Sequence, residues 1–282
     1  MPSDEDLLAQ ARAGDRDALE QLFLRHQPWI LNLAIRMLGG RPEGEDAAQE
    51  ILLHALKALP TFRGDSQFRT WLYRVAANHL MNVRKRNWVA SDAICSFDAA
   101  AAGLRQVPDL DPPDPRTVPV PFELLVEETR ICCMMGTLLC LDGRQRLVFV
   151  LGEIFGVNDT VGGEIADVTP ANFRQILSRT RRDLYQYLRG NCSLVNPANS
   201  CKCARKTQAF IKGGFVDPER LKFTAGHTRQ VRDVADKRAA EWGEAYDELA
   251  TALYQGHPFY ETAEQAALVR QALANISLEP SS

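Results

Sequence analysis

Apolar residues recur along this chain at spacings of three and four, the period of an amphipathic helix. No strand-like alternation runs for a useful length, and no internal repeat is present. The stretch LLAQARAGDRDALEQLFLRH predicts two helices broken at Gly14-Asp15, with Asp15 placed to cap the second. A break at Gly39-Gly40-Arg41-Pro42 precedes a third helix from about Glu43 to Leu59. A polar loop from Pro60 to Gln67 leads into a fourth, from about Phe68 to Arg86. Residues 88–121 carry Pro108, Pro112, Pro113, Pro115, Pro119 and Pro121 beside an alanine run, which is a linker composition. Helical pattern resumes near Phe122, continues to about Arg189, and returns near 228–256 and 261–276. The expected fold is all-α. It has a helical domain over 1–87, a linker over 88–121, a second helical domain over 122–190 and an extension over 191–282.

The segment TPANFRQILSRTRR, residues 169–182, is the most specific in the chain. Thr169 is a favourable N-cap, and Pro170 at the first helical position needs no amide partner. At 100° per residue Phe173, Ile176, Leu177, Thr180 and Leu184 share one face. Ala171, Asn172, Gln175, Ser178, Arg179 and Arg182 share the other. Small residues beside amides and arginines suit base edges and phosphates in a major groove. Just upstream, LVFVLGEIFGVNDTVGGEIADV predicts a helix, a turn at Phe155-Gly156 and a short second helix. That order makes a helix-turn-helix. A solvated arginine-rich face on an ordinary bundle helix is the plainer alternative.

The third and fourth helices carry opposite charge. On the third, Ala47, Ala48, Ile51, Leu52, Ala55 and Leu59 point inward, while Asp46, Gln49, Glu50, Leu53 and Lys57 share the outer side. Glu43 to Glu50 contains four acids and no base. This is either a solvated face or an acidic docking surface centred on Leu53. On the fourth, Leu72, Val75, Ala76, His79, Leu80 and Val83 pack inward, and Arg74, Asn78, Asn82 and Lys85 lie outside. From Arg63 to Arg86 there are six basic residues against Asp65, interleaved with Phe62, Phe68, Trp71 and Tyr73. Cations, amides and rings together suit single-stranded nucleic acid, although core is the better place for Trp71.

Composition narrows the classes. The 282 residues are 45% hydrophobic, enough for two or three cores, and no apolar run approaches the ~20 residues that span a bilayer. The opening MPSDEDLLAQ lacks a signal peptide's basic start, so a cytoplasmic protein is expected, with its seven cysteines reduced or on metal. A net charge of −3 requires nucleic-acid contacts to come from local patches. No nucleophile elbow, phosphate-cradling glycine loop, paired carboxylates or His-Glu metal helix is present, so no enzyme is expected.

The loop NCSLVNPANSCKCARK places Cys192, Cys201 and Cys203 in a C-x8-C-x-C arrangement. Two readings stay open: a zinc or redox-responsive site, or three unlinked thiols. His227 is the best candidate fourth ligand, with Cys95 or His257 behind it. Cys132, Cys133 and Cys140 lie in an apolar helical segment and are expected in the core. Trp242, Tyr246, Leu249, Leu253 and Tyr254 form a helical stripe, either a small packed unit or a built-in regulator.

GEDAAQEILLHALKALPTFRGDSQFRTWLYRVAANHLMNVRKR resembles the second conserved region of bacterial sigma factors. LDGRQRLVFVLGEIFGVNDTVGGEIADVTPANFRQILSRTRRDL resembles the fourth. Two such regions joined by a proline-rich linker resemble the extracytoplasmic-function (ECF) group, over residues 4–87 and 122–189. The resemblance implies a subunit that binds RNA polymerase core and directs promoter-specific initiation. The acidic helix (Asp46, Gln49, Glu50, Leu53) would dock on a coiled coil of the largest subunit, with a further contact at the flap region. Arg63 to Gln67, Arg74, Asn78, Asn82 and Lys85 would open the −10 element and capture an unstacked base. Ala171, Asn172, Gln175, Ser178, Arg179 and Arg182 would read the −35 element. No cofactor is required, zinc being the one option, and an anti-sigma factor is a further expected partner. Gly162-Gly163 departs from the family, which has good helix formers there; each Gly costs about 1 kcal/mol against Ala. A stand-alone helix-turn-helix regulator also explains residues 147–184, but leaves the acidic and the basic-aromatic helices without a job.

Overall fold

Each break in the apolar period is a helix end with its own cap. In this computed structural model, Ser3 and Asp6 form a capping box on α1 (Asp4–Arg12). The Asp15 carboxylate accepts the Asp17 and Ala18 amides to open α2 (Arg16–Leu38), as expected. The chain continues through α3 (Arg41–Ala58), α4 (Phe68–Ala90), α5 (Phe97–Gln106), α6 (Phe122–Leu139) and α7 (Gly143–Phe149). A π-helical turn, Val150–Ile154, prolongs α7. Then follow α8 (Asp159–Ala166), α9 (Pro170–Asn191), α10 (Cys203–Lys212) and α11 (Tyr246–Gln255). The structure describes residues 2–90, 96–224, 246–256, 259–260 and 269–270, and only the backbone of 84–90 and 246–248. Among these residues there is no strand, so the fold is all-α. No described helix is long and apolar enough to cross a membrane. Trp242, the Tyr246 side chain and most of the expected helices near 228–256 and 261–276 lie outside the described residues.

The segment expected to be linker contains a helix. Ser96 caps α5 through the Ala99 amide, and the alanine run supplies its body. Phe97 lies 5.2 Å from Tyr187 of α9, and Ala101 is buried. Further on, the Leu110 amide donates to the Arg205 carbonyl at 3.0 Å, and Lys206 pairs with Asp109 at 2.9 Å. The proline-rich stretch is therefore docked along the second half of the chain.

One hydrophobic core runs through both halves. Buried Arg146 of α7 donates to the Met37 carbonyl at the end of α2 (2.6 Å) and to the Leu138 and Leu141 carbonyls (2.7 and 3.2 Å). Trp29 stacks on Tyr73 at 3.5 Å and meets Phe155 at 5.1 Å. The Arg36 guanidinium lies 5.5 Å over Phe155, and burial pulls its pKa down to about 10.

His26, buried in α2, contacts Asp4 Oδ2 at 2.7 Å and the Tyr73 hydroxyl at 2.9 Å. Burial lowers its pKa from 6.5, and Asp4 opposes that shift without cancelling it. The fold therefore prefers the neutral ring, and the unfolded chain takes up the proton first. Stability present above pH 6.5 is lost as the pH falls below that value. Thermal unfolding of the wild-type chain should decline more steeply between about pH 7 and 5.5 than that of His26→Gln. Parallel declines would assign the pH dependence to other groups.

Candidate nucleic-acid interface

The helix-turn-helix is built from one tight turn, two helix caps and a pair of glycine contacts. Gly156, with φ +66°, turns the chain out of the π-helical segment beside Phe155. Asn158 caps α8 through the Val161 amide at 2.9 Å, and Thr169 caps α9 through Asn172 at 3.2 Å. The Gly162-Gly163 pair is a packing requirement, not a weakness. A Cβ on Gly162 would meet Phe173 Cζ at 2.5 Å, and one on Gly163 would meet the Val168 carbonyl oxygen at 2.8 Å. These glycines let α8 lie directly against the ring and backbone that start α9.

On α9, Phe173, Thr180 and Leu184 are buried, Ile176 and Leu177 half-buried, and Ala171, Asn172, Gln175, Ser178, Arg179 and Arg182 all exposed. Charges divide this set further. Arg174 is tied to Asp159, and Arg181 to buried Glu153. Arg182 pairs with Asp183 at 3.2 Å in solvent, where such a pair contributes little. Arg179 has no ion pair among the described residues. It projects beside Gln175 and Asn172 from a capped helix start.

The polar loop and α4 form a cleft of about 470 Å³ lined by Phe62, Arg63, Ser66, Trp71, Arg74 and Asn78, among others. Of the residues expected to act on an opened strand, Arg63, Asp65, Ser66, Arg74 and Asn78 meet here. Asn82 is exposed further along α4, and the Lys85 side chain lies outside the described residues. Arg74 is half-buried, and its Nε has no hydrogen-bond partner among the described residues. Most of the aromatics are committed internally. Phe62 and Phe68 are buried, Tyr73 stacks on Trp29, and Trp71 packs on Phe62 and Phe68 while keeping an edge in the cleft. Of these four rings, only Trp71 is left for base stacking. Arg74 also faces a second cleft, of about 550 Å³, with Thr160, Glu164, Asp167 and Pro170, where α4 abuts α8 and the start of α9. Sequence reasoning placed these surfaces on separate domains and missed this juxtaposition.

On α3 the Asp46, Gln49 and Glu50 side chains are exposed and Leu53 half-exposed, over buried Ala47, Ala48, Ile51, Leu52 and Ala55. Leu59, expected inside, is half-exposed in the 3₁₀ turn that follows α3. Glu50 reaches back to His79 Nε2 at 3.1 Å. Asp46 has no ion pair among the described residues.

The described residues do not assemble a metal site around the cysteine loop. No group of three or more His, Cys, Asp or Glu among the described residues is set to hold one, so the zinc expectation for Cys192, Cys201 and Cys203 gains no support. His227, Cys95 and His257 lie outside the described residues. The turn after α9 is held instead by amides. Asn199 donates to the Arg189 and Cys192 carbonyls, both at 3.0 Å, and Asn196 to the Arg189 carbonyl at 3.2 Å. Burial raises the pKa of Cys192 and Cys201, pushes Cys203 up to about 12, and holds Cys133 well above its usual value. Neighbouring thiols reinforce the last two shifts. Cys132, Cys133 and Cys140 are half-buried, with Cys132 packed against the core.

Residues 22–89 match the sigma-70 region 2 family. The RNA polymerase sigma-H factor of Pseudomonas aeruginosa is 34% identical over 129 residues, 45% of this chain and 67% of that protein. The ECF RNA polymerase sigma-E factor of Escherichia coli K12 is 39% identical over 188 residues, 64% of this chain and 91% of that protein. Among solved structures, the sigma factor RpoE in complex with the anti-sigma factor NepR from Bartonella quintana superposes at a TM-score of 0.42 and 19% identity. It covers 61% of this chain and 96% of that one.

Proposed function

Because the chain belongs to the ECF RNA polymerase sigma factors, which direct promoter-specific transcription initiation, we propose the following division of labour among its surfaces. The acidic face of α3 (Asp46, Gln49, Glu50, Leu53) docks on the coiled coil of the largest core subunit, and the second domain adds a contact at the flap region. The cleft of Arg63, Trp71, Arg74 and Asn78 takes an unstacked base of the −10 element, with Asn82 and Lys85 following the strand. Ala171, Asn172, Gln175, Ser178, Arg179 and Arg182 read the −35 element in the major groove. Binding energy alone suffices for this work. Extruding a base costs only a few kcal/mol, and no cofactor is needed.

The cleft beside α4 is the observation that carries this reading. It joins an arginine with a buried, unpartnered Nε to an exposed amide and a ring edge. A stand-alone helix-turn-helix regulator has no use for such a pocket. The test is transcription in vitro with core polymerase and a promoter library, where start sites should share paired −35 and −10 elements. Absence of transcripts without another sigma factor would return the protein to the regulator class. Within the working complex, Asn78→Ala should weaken permanganate reactivity at −10 about tenfold and leave duplex binding intact. Arg179→Ala should weaken −35 binding by about 1–3 kcal/mol. Exchanged phenotypes would exchange the two surfaces.

A further inference from the structure

A third cleft, of about 640 Å³, is lined by residues of α5, α6 and α10 and by the chain from Gly214 to Phe223, among others. None of the residues assigned above to core, to the −10 element or to the −35 element borders it. Its volume falls within the ~300–1,000 Å³ of small-molecule sites. The walls are chiefly apolar, with Leu104, Met135, Leu139, Phe210 and Phe223 among them. Gly103 of α5 and Gly136 of α6 also border it, and a Cβ on either would meet nothing within 4 Å beyond its own helical turn. Inside a helix only proline is less favourable than glycine. Close packing explains Gly162; no packing explains these two, and the side chains they lack leave the cleft open. The walls also demand little hydrogen bonding. The Thr137 hydroxyl donates to the Met134 carbonyl at 2.7 Å and meets the Tyr254 hydroxyl at 2.6 Å, and the Cys132 thiol faces the Phe215 carbonyl at 3.8 Å.

Two charges stand on the lining, Glu43 and Lys222. Glu43 folds back over Gly40, where an added Cβ would strike its carboxylate. Lys222 is exposed and has no ion pair among the described residues. Its backbone is fixed. Glu128 of α6, 1% exposed, accepts the Lys222 amide at 2.7 Å, the Phe223 amide at 3.1 and 3.2 Å, and the Thr224 amide and hydroxyl, each at 2.9 Å. Phe215, 59% exposed, is held at the rim by Phe210, whose carbonyl accepts its amide at 2.9 Å and whose ring lies 5.6 Å away. We propose that this cleft binds a small anionic amphiphile, an apolar chain or ring system carrying one carboxylate. Its apolar body lies against Gly103 and Gly136, and its carboxylate meets the Lys222 ammonium. An apolar body gains by displacing water from walls that offer it few partners. The anchored cation selects the sign of the head group. Phe215 then covers the body of the ligand instead of standing in solvent.

Calorimetric titration of the full chain with dodecanoate, dodecanol and dodecylamine, each below its micelle concentration, tests this. Dodecanoate should bind as one molecule per chain and, at 100 times its Kd, raise the melting temperature by about 5–10 °C. Gly136→Leu fills open space, so it should keep the helical content and melting temperature of the free protein while weakening dodecanoate at least about tenfold. If that variant does not fold, Gly103→Leu fills the same cleft from α5 and should act alike. Lys222→Gln should weaken dodecanoate about threefold to tenfold and leave dodecanol unchanged. Absence of saturable dodecanoate binding would overturn the proposal. So would binding that a folded Gly136→Leu or Gly103→Leu leaves intact, because the probe would then sit elsewhere. Equal affinity for dodecylamine and dodecanoate would show adventitious apolar uptake and overturn the carboxylate site.

Discussion

Asp46→Arg should weaken binding to core RNA polymerase about 100-fold, or roughly 2.7 kcal/mol, with the helical fold unchanged. Asp46 is exposed on α3 and has no ion pair among the described residues, so the substitution breaks no ion pair among them. It places a cation where the docking reading requires a basic partner surface, and like charges brought together at an interface cost several kcal/mol. Glu50 is the less clean probe. Its carboxylate is 3.1 Å from His79 Nε2, so Glu50→Lys would also remove a contact within the bundle. The defect in Asp46→Arg should shrink as ionic strength rises, because the interaction is screened over about 8 Å at physiological salt. Affinity within twofold of wild type, in a variant with an unchanged melting curve, would remove the docking assignment from this face.

Phe173→Ala should destabilise the second half of the protein by about 3–5 kcal/mol and abolish −35 binding. Its ring is 1% exposed and fills the space that Gly162 and Gly152 leave open, their hypothetical Cβ atoms falling 2.5 and 3.3 Å from it. The same geometry decides the sign of Gly162→Ala. Helix propensity favours Ala by about 1 kcal/mol, but a 2.5 Å contact with a buried ring forces repacking that costs about 1–3 kcal/mol. Destabilisation should win, and Phe173→Leu in the same chain should recover part of it. Gly163→Ala should not be rescued, because its obstacle is the Val168 backbone carbonyl at 2.8 Å. Urea unfolding of the single and double variants measures the coupling. A neutral Gly162→Ala would mean that α8 does not approach Phe173 this closely.

Local features were legible and distant ones were not. The Asp15 and Thr169 caps, the turn at Phe155-Gly156 and the buried and exposed faces of α3 and α9 follow from residues within a turn or two of each other. The α5 helix was hidden by its neighbours: Ser96 and the alanine run signal a helix, but six prolines downstream set the character of the whole stretch. Gly162-Gly163 could not be judged locally, since propensity registers what a glycine loses and says nothing of what lies against it. Arg146 bonded to Met37 across 109 residues, and Glu128 bonded to Thr224 across 96, leave no periodic trace. The cysteine spacing suggested a metal because thiols are conspicuous in sequence, whereas the two asparagines that hold the turn look like ordinary loop residues.

Glu128 also bears on how this protein can be recombined with its relatives. A chimera that kept the two sigma regions and ended the chain at residue 221 would retain α1 to α10. It would strip the Glu128 carboxylate, enclosed in the full chain, of the four donors supplied by Lys222, Phe223 and Thr224. Four lost hydrogen bonds, each contributing about 0.5–1.5 kcal/mol net, are a large share of a domain's stability. Regions exchanged at motif boundaries would therefore have to carry the far end of the chain with them, or lose the acid at position 128 in the same step.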